Sequence, residues 1–283
     1  MTYEELKIQL DLNKPIDILK SIGGKTKDND WFIVCDDGDC YLFDDNGNEI
    51  DIKKIKTLNE DLIPKDIKKI IVPDSVKKIE SCAFYDYRNL TLIFISNLVK
   101  YIEDYAFAYC TNLTSINIPN SVKHIGDTAF AWCESLTSIN IPDSIESIGN
   151  STFYNCKNLK SITIPNSVKY IGNCAFEWCE NLISITISDS IESIGDSAFA
   201  YCINLKSIVI PDSTKSIGNR AFTHCKNLTS INIPDLVENI GDDAFIGCTN
   251  LKSMIFKGKT INQVKSMECY PFGIKDESII KCI

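Results

Sequence analysis

The chain has 283 residues, 44% of them hydrophobic and 24% charged, enough to bury a core in one large domain or two of medium size. A net charge of −9 and a pI near 4.9 exclude the basic face that nucleic-acid phosphates or an anionic membrane surface would demand. No run of 18 apolar residues offers to span a bilayer, and the acidic start "MTYEELKIQLDL" lacks the form of an export signal, so the expected location is cytoplasmic.

In chain order, Thr2 with Glu5 forms a capping box that opens a first helix, and "PIDILKSIGG" reads as a second, closed by Gly23 or Gly24. "WFIVCDDGDCYLFDDNGNEIDI" then holds three apolar runs separated by Asp-Gly and Asn-Gly, a hairpin signal. Together these predict a small α+β capping domain over residues 1–60. The first 61 residues carry 15 acidic side chains against 8 lysines, a balance of −7 out of the −9 total. Asp36, Asp37, Asp39, Asp44, Asp45, Asn46 and Glu49 do not fall in the register of a calcium loop, which needs alternating oxygens, a sixth Gly and a twelfth Glu. They read as solvated turns. Cys35 and Cys40 flank one turn, and whether they pair stays open.

From residue 61 to 256 the sequence repeats. Phe stands at 84, 107, 130, 153, 176, 199, 222 and 245, a strict 23-residue period over eight copies. Leu follows each Phe by six residues, and Leu-x-x-Ile-x-Ile predicts a short strand with one buried face, stopped by Pro at 119, 142, 165, 211 and 234. Gly at 126, 149, 172, 195, 218 and 241 is expected where the chain bends tightly. One unit cannot cover its own apolar side, so the copies must stack into a solenoid with a parallel sheet, on the order of 40 Å long at roughly 4.8 Å per strand. Residues 67–73, "IKKIIVP", look like a half-copy that begins the stack. Cys110, Cys133, Cys156, Cys179, Cys202, Cys225 and Cys248 lie three residues after Phe, on the inward side of a helical or 3₁₀ turn. They read as small buried hydrophobes rather than metal ligands, since one thiol per rung has no tetrahedral convergence. Asn one residue before most of the Leu positions is expected to bond backbone groups in the turn.

Residues 113–135, "LTSINIPNSVKHIGDTAFAWCES", carry the unit L-x-x-I-x-I-P-x-x-V-x-x-I-G-x-x-A-F-x-x-C-x-x in full, and the chain resembles the BspA-like leucine-rich repeat proteins over about residues 67–256. The resemblance implies a leucine-rich repeat solenoid that acts in binding, and, as an alternative location, the cell surface or the exterior, where such proteins serve in adhesion.

In a stack, one phase forms one line on the surface. Two residues after Phe the line includes Tyr109, Trp132, Trp178, Tyr201 and His224, a candidate contact site for proteins or sugars; equally, the rings could simply shield the turn by stacking. The outward strand positions Ser115, Asn117, Ser138, Asn140, Ser161, Thr163, Ser184, Thr186, Ser230 and Asn232 form a second candidate face, whose small side chains would also suit a tight parallel ladder. Lys123, Glu146, Lys169, Glu192, Lys215 and Glu238 alternate in sign, so each charge is expected to face its opposite.

Residues 257–283, "TINQVKSMECYPFGIKDESIIKCI" for the most part, leave the period and predict a C-terminal cap with a short helix, a "YPFGI" corner and a last strand through Ile279, Ile280 and Ile283. No phosphate-loop, nucleotide, hydrolase or zinc-protease motif occurs, and His124 and His224 sit about four rungs apart, roughly 20 Å. The reading is a non-catalytic protein without cofactor or metal that binds a protein partner, with a carbohydrate, adhesion or self-assembling structural role as the alternative. Oligomeric state is not legible.

Overall fold

The computed structural model describes residues 65–72 and 76–283, together with Ile8, Asn46 and four strand segments nearer the N-terminus. Those segments, Gly24–Lys25, Trp31–Val34, Cys40–Phe43 and Glu49–Lys53, pair antiparallel in chain order, with Trp31 opposite Phe43 and Cys40 opposite Lys53. The two hairpins signalled by Asp-Gly and Asn-Gly are therefore present. The Thr2–Glu5 box, the second helix, Cys35 and the acidic residues 36, 37, 39, 44 and 45 lie outside the described residues.

Beyond them the chain winds as a β-solenoid of about nine turns at 23-residue spacing, with almost no helix. Each rung has three sides. The long face holds strands such as Leu92–Phe94, Ser115–Asn117 and Ser161–Thr163, in register at 23-residue steps (Ile93 beside Ile116, Ile162 beside Ile185). The half-copy begins this face as expected: Lys69–Ile71 pairs with Leu92–Phe94, and Ile67, Ile70 and Val72 are buried. A second face carries two-residue strands, such as Tyr170–Ile171 and Ser193–Ile194. The third side is the turn around Phe.

The ladders on these sides differ in sense. On the long face donors run both ways, as in any parallel ladder: Thr91 N–H donates back to Lys68 O at 2.8 Å, whereas Ile164 N–H donates forward to Thr186 O at 2.8 Å. On the turn side each rung donates forward, Phe84 N–H to Ala106 O at 2.8 Å and Tyr201 N–H to Thr223 O at 2.7 Å. Two residues per rung, at Phe−2 and Phe+2, have positive φ, as Tyr105 (57°) and Tyr109 (63°) show. The turn is thus neither helical nor 3₁₀. Left-handed residues turn alternate N–H groups toward the next rung, and the others close onto the carbonyl three residues back, as Cys110 does to Phe107.

Inside, the eight Phe rings stack face to face at 5.0–5.7 Å, each fully buried or nearly so, with Leu and Ile lining the other sides. Burial of such a ring is worth about 1.5–3 kcal/mol. The glycines earn their place differently from the tight bend expected of them. A Cβ on Gly172 would lie 2.7 Å from the Gly149 carbonyl carbon of the rung before, so what excludes a side chain is contact between rungs. The left-handed positions hold Tyr, Trp, Cys and Ser instead.

One junction departs from the rest. The second-face ladder stops between His124–Ile125 and Ser147–Ile148, and Glu146 and Gly149 do not donate back to Lys123 and Ile125 as Lys169 and Gly172 do to Glu146 and Ile148. The long-face strands part at the same junction, between Ser138–Ile139 and Ser161–Thr163, where only Lys160 N–H to Thr137 O (3.3 Å) crosses. The long face narrows again to a bridge between Ser184 and Ser207 and parts between Ser207 and Ser230–Ile233, where only Thr229 N–H to Lys206 O (3.4 Å) crosses. Phe130 and Phe153 stand 5.7 Å apart, the widest step of the stack. The cause is readable: every other rung has Ala before Phe, whereas this one has buried Thr152, whose hydroxyl donates to Gly149 O at 2.9 Å within its own rung. Its added bulk props the rungs apart on the second face; the long face parts also beside Ala221, without such a wedge. The turn side holds, with Phe130 N–H to Thr152 O at 2.9 Å.

The charge column closes only once, Lys215 to Glu192 at 2.8 Å; among the described residues the other members make no such pair with one another, because long exposed side chains gain little by meeting. At the C-terminal end, helix Ile261–Lys265 starts on a Thr260–Gln263 capping box, and Ile280–Cys282 pairs parallel to Ser253–Phe256. Ile280 is buried, but Ile283, expected in the seal, is exposed because the strand ends at Cys282.

Candidate interaction surface

The aromatic line two residues after Phe is brought together by the turn-side ladder. Each of its members has φ near 60° and an N–H tied to the following rung, so consecutive side chains project in parallel one rung apart. Two stacks result. Tyr109 lies 5.4 Å from Trp132 with an 8° angle between planes, Tyr85 joins Tyr109 edge-on, and Tyr154 tilts against Trp132 at 5.9 Å. Trp178 and Tyr201 are 3.9 Å apart and nearly coplanar in orientation (3°), and His224 continues that stack at 4.9 Å. Asn155, buried, separates the two. The rings of Tyr109, Trp132, Trp178, Tyr201 and His224 are half-buried. Within the stacks the ring faces are covered by neighbours, which leaves edges to solvent.

Left-handed backbone costs a residue with a Cβ roughly 1–2 kcal/mol, which Asp, Asn and Gly bear best. Asp86, Asn155 and Gly247 occupy three of the eight places in this line; the other five are Tyr, Trp, Trp, Tyr and His. Stacking, about 0.5–1.5 kcal/mol per pair, offsets much of that cost.

The long face is as exposed as the spacing predicts: Ser115, Asn117, Ser138, Asn140, Ser161, Thr163, Ser184, Thr186, Ser230 and Asn232 all face solvent. Val209 (78% exposed), Phe94 and Ile183 are apolar points on that mostly polar surface. The two histidines are on different sides, His124 on the second face and His224 in the aromatic stack.

Beneath the aromatic line runs the thiol column, buried at every rung. Its members do more than fill space. Cys110 Sγ donates to Phe84 O at 3.1 Å, Cys179 to Phe153 O at 3.2 Å and Cys248 to Phe222 O at 3.1 Å, so that each thiol clasps the rung before it. Burial pushes Cys110 and Cys248 up to about 12 and raises the thiols between them well above the ordinary value, which makes them inert as nucleophiles at neutral pH. Cys225 follows His224 in sequence but points inward to Phe199 O while the imidazole stacks outward. Among the described residues no three His, Cys, Asp or Glu side chains converge as a metal site, and no helix is long and apolar enough to cross a membrane.

Two further columns complete the rung contacts. The Asn before Leu bonds backbone at first, Asn112 Nδ2 to Arg88 O at 2.7 Å and Asn158 Nδ2 to Glu134 O at 2.9 Å, but from Asn181 to Asn227 each amide donates to the Asn of the preceding rung. The sequence reading passed over the Asp or Asn after each glycine and, in the same phase, Asp104 after Glu103. Asp104, Asp127, Asn150, Asn173, Asp196 and Asn219 each accept the backbone N–H of their counterpart in the next rung at 2.7–2.9 Å. The recurring Gly-Asp and Gly-Asn pairs were the available signal.

Compared with known families, the BspA type leucine rich repeat region matches residues 63–183 and 169–276 in 6 copies. The chain belongs to this family. Members of the BspA-type repeat family and fold are generally not enzymes, and the fold implies an interaction or surface-repeat role. Among solved structures, a leucine-rich repeat protein of Eubacterium ventriosum is 24% identical with a TM-score of 0.57, covering 65% of this chain and 49% of that one. This chain thus spans about half the length of that relative. A leucine rich repeat protein of T. pallidum is 25% identical with a TM-score of 0.53, covering 73% of this chain and 84% of its own. No curated protein matches the chain.

Proposed function

We propose that this BspA-type repeat protein is a non-catalytic binding module that engages a protein partner through the aromatic line of its turn side. The observation that carries the reading is the stack Trp178–Tyr201–His224, bulky rings kept in left-handed backbone that Asn or Gly would bear better, with their edges at the surface. Tyr and Trp are the residues that dominate protein interfaces. A sugar ring is recognised on an aromatic face, and here the faces are covered, so the carbohydrate alternative is the weaker reading.

The test exploits the backbone. Replacing Trp132, Trp178 and Tyr201 by Asn, the residue the fold itself uses at 155, removes the rings from positions that Asn tolerates. Affinity capture from the native source should recover a protein that the triple variant loses and that a long-face variant, Ser161→Lys with Thr186→Lys, retains. Loss only with the long-face variant would move the site to the strands. A glycan bound on an array by the wild type and not by the triple variant would replace the protein partner with a sugar.

A further inference from the structure

The last full rung is less well covered than any other. Cys248 and Leu251 are 9% and 7% exposed, whereas their counterparts in every earlier rung are fully buried. The C-terminal cap follows the path of a next rung as far as Phe272, whose carbonyl accepts the Phe245 N–H at 3.0 Å, and then leaves it. What remains is a cavity of about 620 Å³ between the last rung and the cap. Its floor and walls are Phe245, Cys248, Leu251, Ile274 and Ile279, and His224 closes one side. A volume of this size is that of a small-molecule pocket.

Its polar groups are few. The residues in the phase of Gly247 all donate forward, Trp178 to Ala200 and His224 to Ile246 among them, but among the described residues Gly247 N–H, which lies in the cavity wall, donates to nothing. Gly247 has φ +75°, and the His224 imidazole occupies the place of a Cβ there, its Nδ1 nearest that position. Lys226 and Lys275 line the cavity, and neither makes an ion pair among the described residues. Asp276 is the one acid in the lining, and its Oδ1 accepts the Ser278 N–H at 3.0 Å. An apolar chamber with a free backbone donor and two unpaired ammonium groups matches one chemistry, a carboxylate on an apolar body.

We infer that this cavity binds a small amphiphilic monocarboxylic acid, its carboxylate at Gly247 N–H between Lys226 and Lys275 and its alkyl or aryl body against Leu251, Ile274 and Ile279. The inference does not depend on the aromatic line or on any protein partner.

An amide-detected NMR titration of the full chain tests it with octanoate, octan-1-ol and octylamine as probes. Octanoate should saturate with the Gly247 amide among the largest shifts, the alcohol should bind more weakly, and the amine should not bind. Lys226→Glu combined with Lys275→Glu, both exposed and free of packing roles, should weaken octanoate about tenfold or more. Ile274→Trp, which fills the chamber, should abolish the shifts. Equal binding of the amine, octanoate shifts centred elsewhere, or no saturation by octanoate would each overturn the assignment.

Discussion

Two rung junctions, a few turns apart, show what holds this molecule together. Between Phe176 and Phe199 the rings are 5.4 Å apart and 1° from parallel, and the second face is laddered by Glu192 N–H to Lys169 O at 2.8 Å. Between Phe130 and Phe153 the rings are 5.7 Å apart and the corresponding second-face bonds are absent, while the turn-side bonds and the thiol bond, Cys156 Sγ to Phe130 O at 3.2 Å, persist. The turn side, with its left-handed residues and buried thiols, is therefore the continuous spine. The second face is the side that yields to one misfitting methyl and hydroxyl, and the long face is interrupted at more than one junction.

The largest expected effect treats both junctions alike and tests the spine. Because burial raises the thiols above the ordinary 9.0, their contribution is complete below pH 9, where folded and unfolded thiols are both protonated. It is lost as pH climbs from 9 toward the native values, since only the unfolded thiols ionise. Each thiol removes up to about 1.4 kcal/mol per pH unit, and the column together several. Urea melts at pH 8 and pH 10.5 should show a large fall in stability, smaller in Cys179→Ala by about one thiol's share. A pH dependence identical in that variant would mean that the thiol is not held as described.

Next come the rings. Phe176→Ala should cost about 3–5 kcal/mol in urea melts, and Phe153→Ala, beside the wide step, about 1 kcal/mol less. Equal costs would show the wide step to be packed as tightly as the rest. A smaller contrast separates two glycines. A Cβ on Gly172 meets backbone, whereas at Gly149 the nearest atom is the Asp127 carboxylate, which can give way at the cost of its bond to the Asn150 N–H, and the nearest backbone atom is 3.5 Å away. Gly172→Ala should lower stability by about 1–3 kcal/mol and Gly149→Ala by less than about 1 kcal/mol, read from thermal midpoints. The smallest effect closes the gap itself. Thr152→Ala should let Glu146 and Gly149 reach Lys123 and Ile125, slowing hydrogen exchange at those two amides by the equivalent of about 0.5–1.5 kcal/mol; unchanged exchange would clear Thr152 as the wedge.

Much of this was legible in the sequence because a fixed period converts phase into direction. Phe, Leu and Ile recur at 23-residue steps and are buried, and the Ser and Asn of the strands recur between them and are exposed. Where the text misled, one letter served two physical roles. Cysteine every 23 residues reads as a small hydrophobe, and nothing in its spacing reveals that the S–H is also a donor to a neighbouring carbonyl. Glycine reads as a bend, yet Gly172 is there to let backbones touch, and the bends themselves carry Tyr109 and Trp132. The candidate aromatic line was visible as letters, but whether rings offer faces or edges depends on the angle between them. The cavity under the cap had no signal at all, since residues 257–283 do not repeat and phase says nothing there.

The mixed ladders have a consequence for length. A stack in which every N–H pointed the same way would accumulate an axial dipole and favour opposite charges at its two ends, as a long helix does. Here the turn side donates forward, bonds such as Lys169 N–H to Glu146 O on the second face run back, and the long face does both, so successive turns offset one another. Inserting or deleting a whole 23-residue unit then adds little to the electrostatics of either terminus, and an array of this design is free to grow or shrink by duplication without its ends being rebuilt.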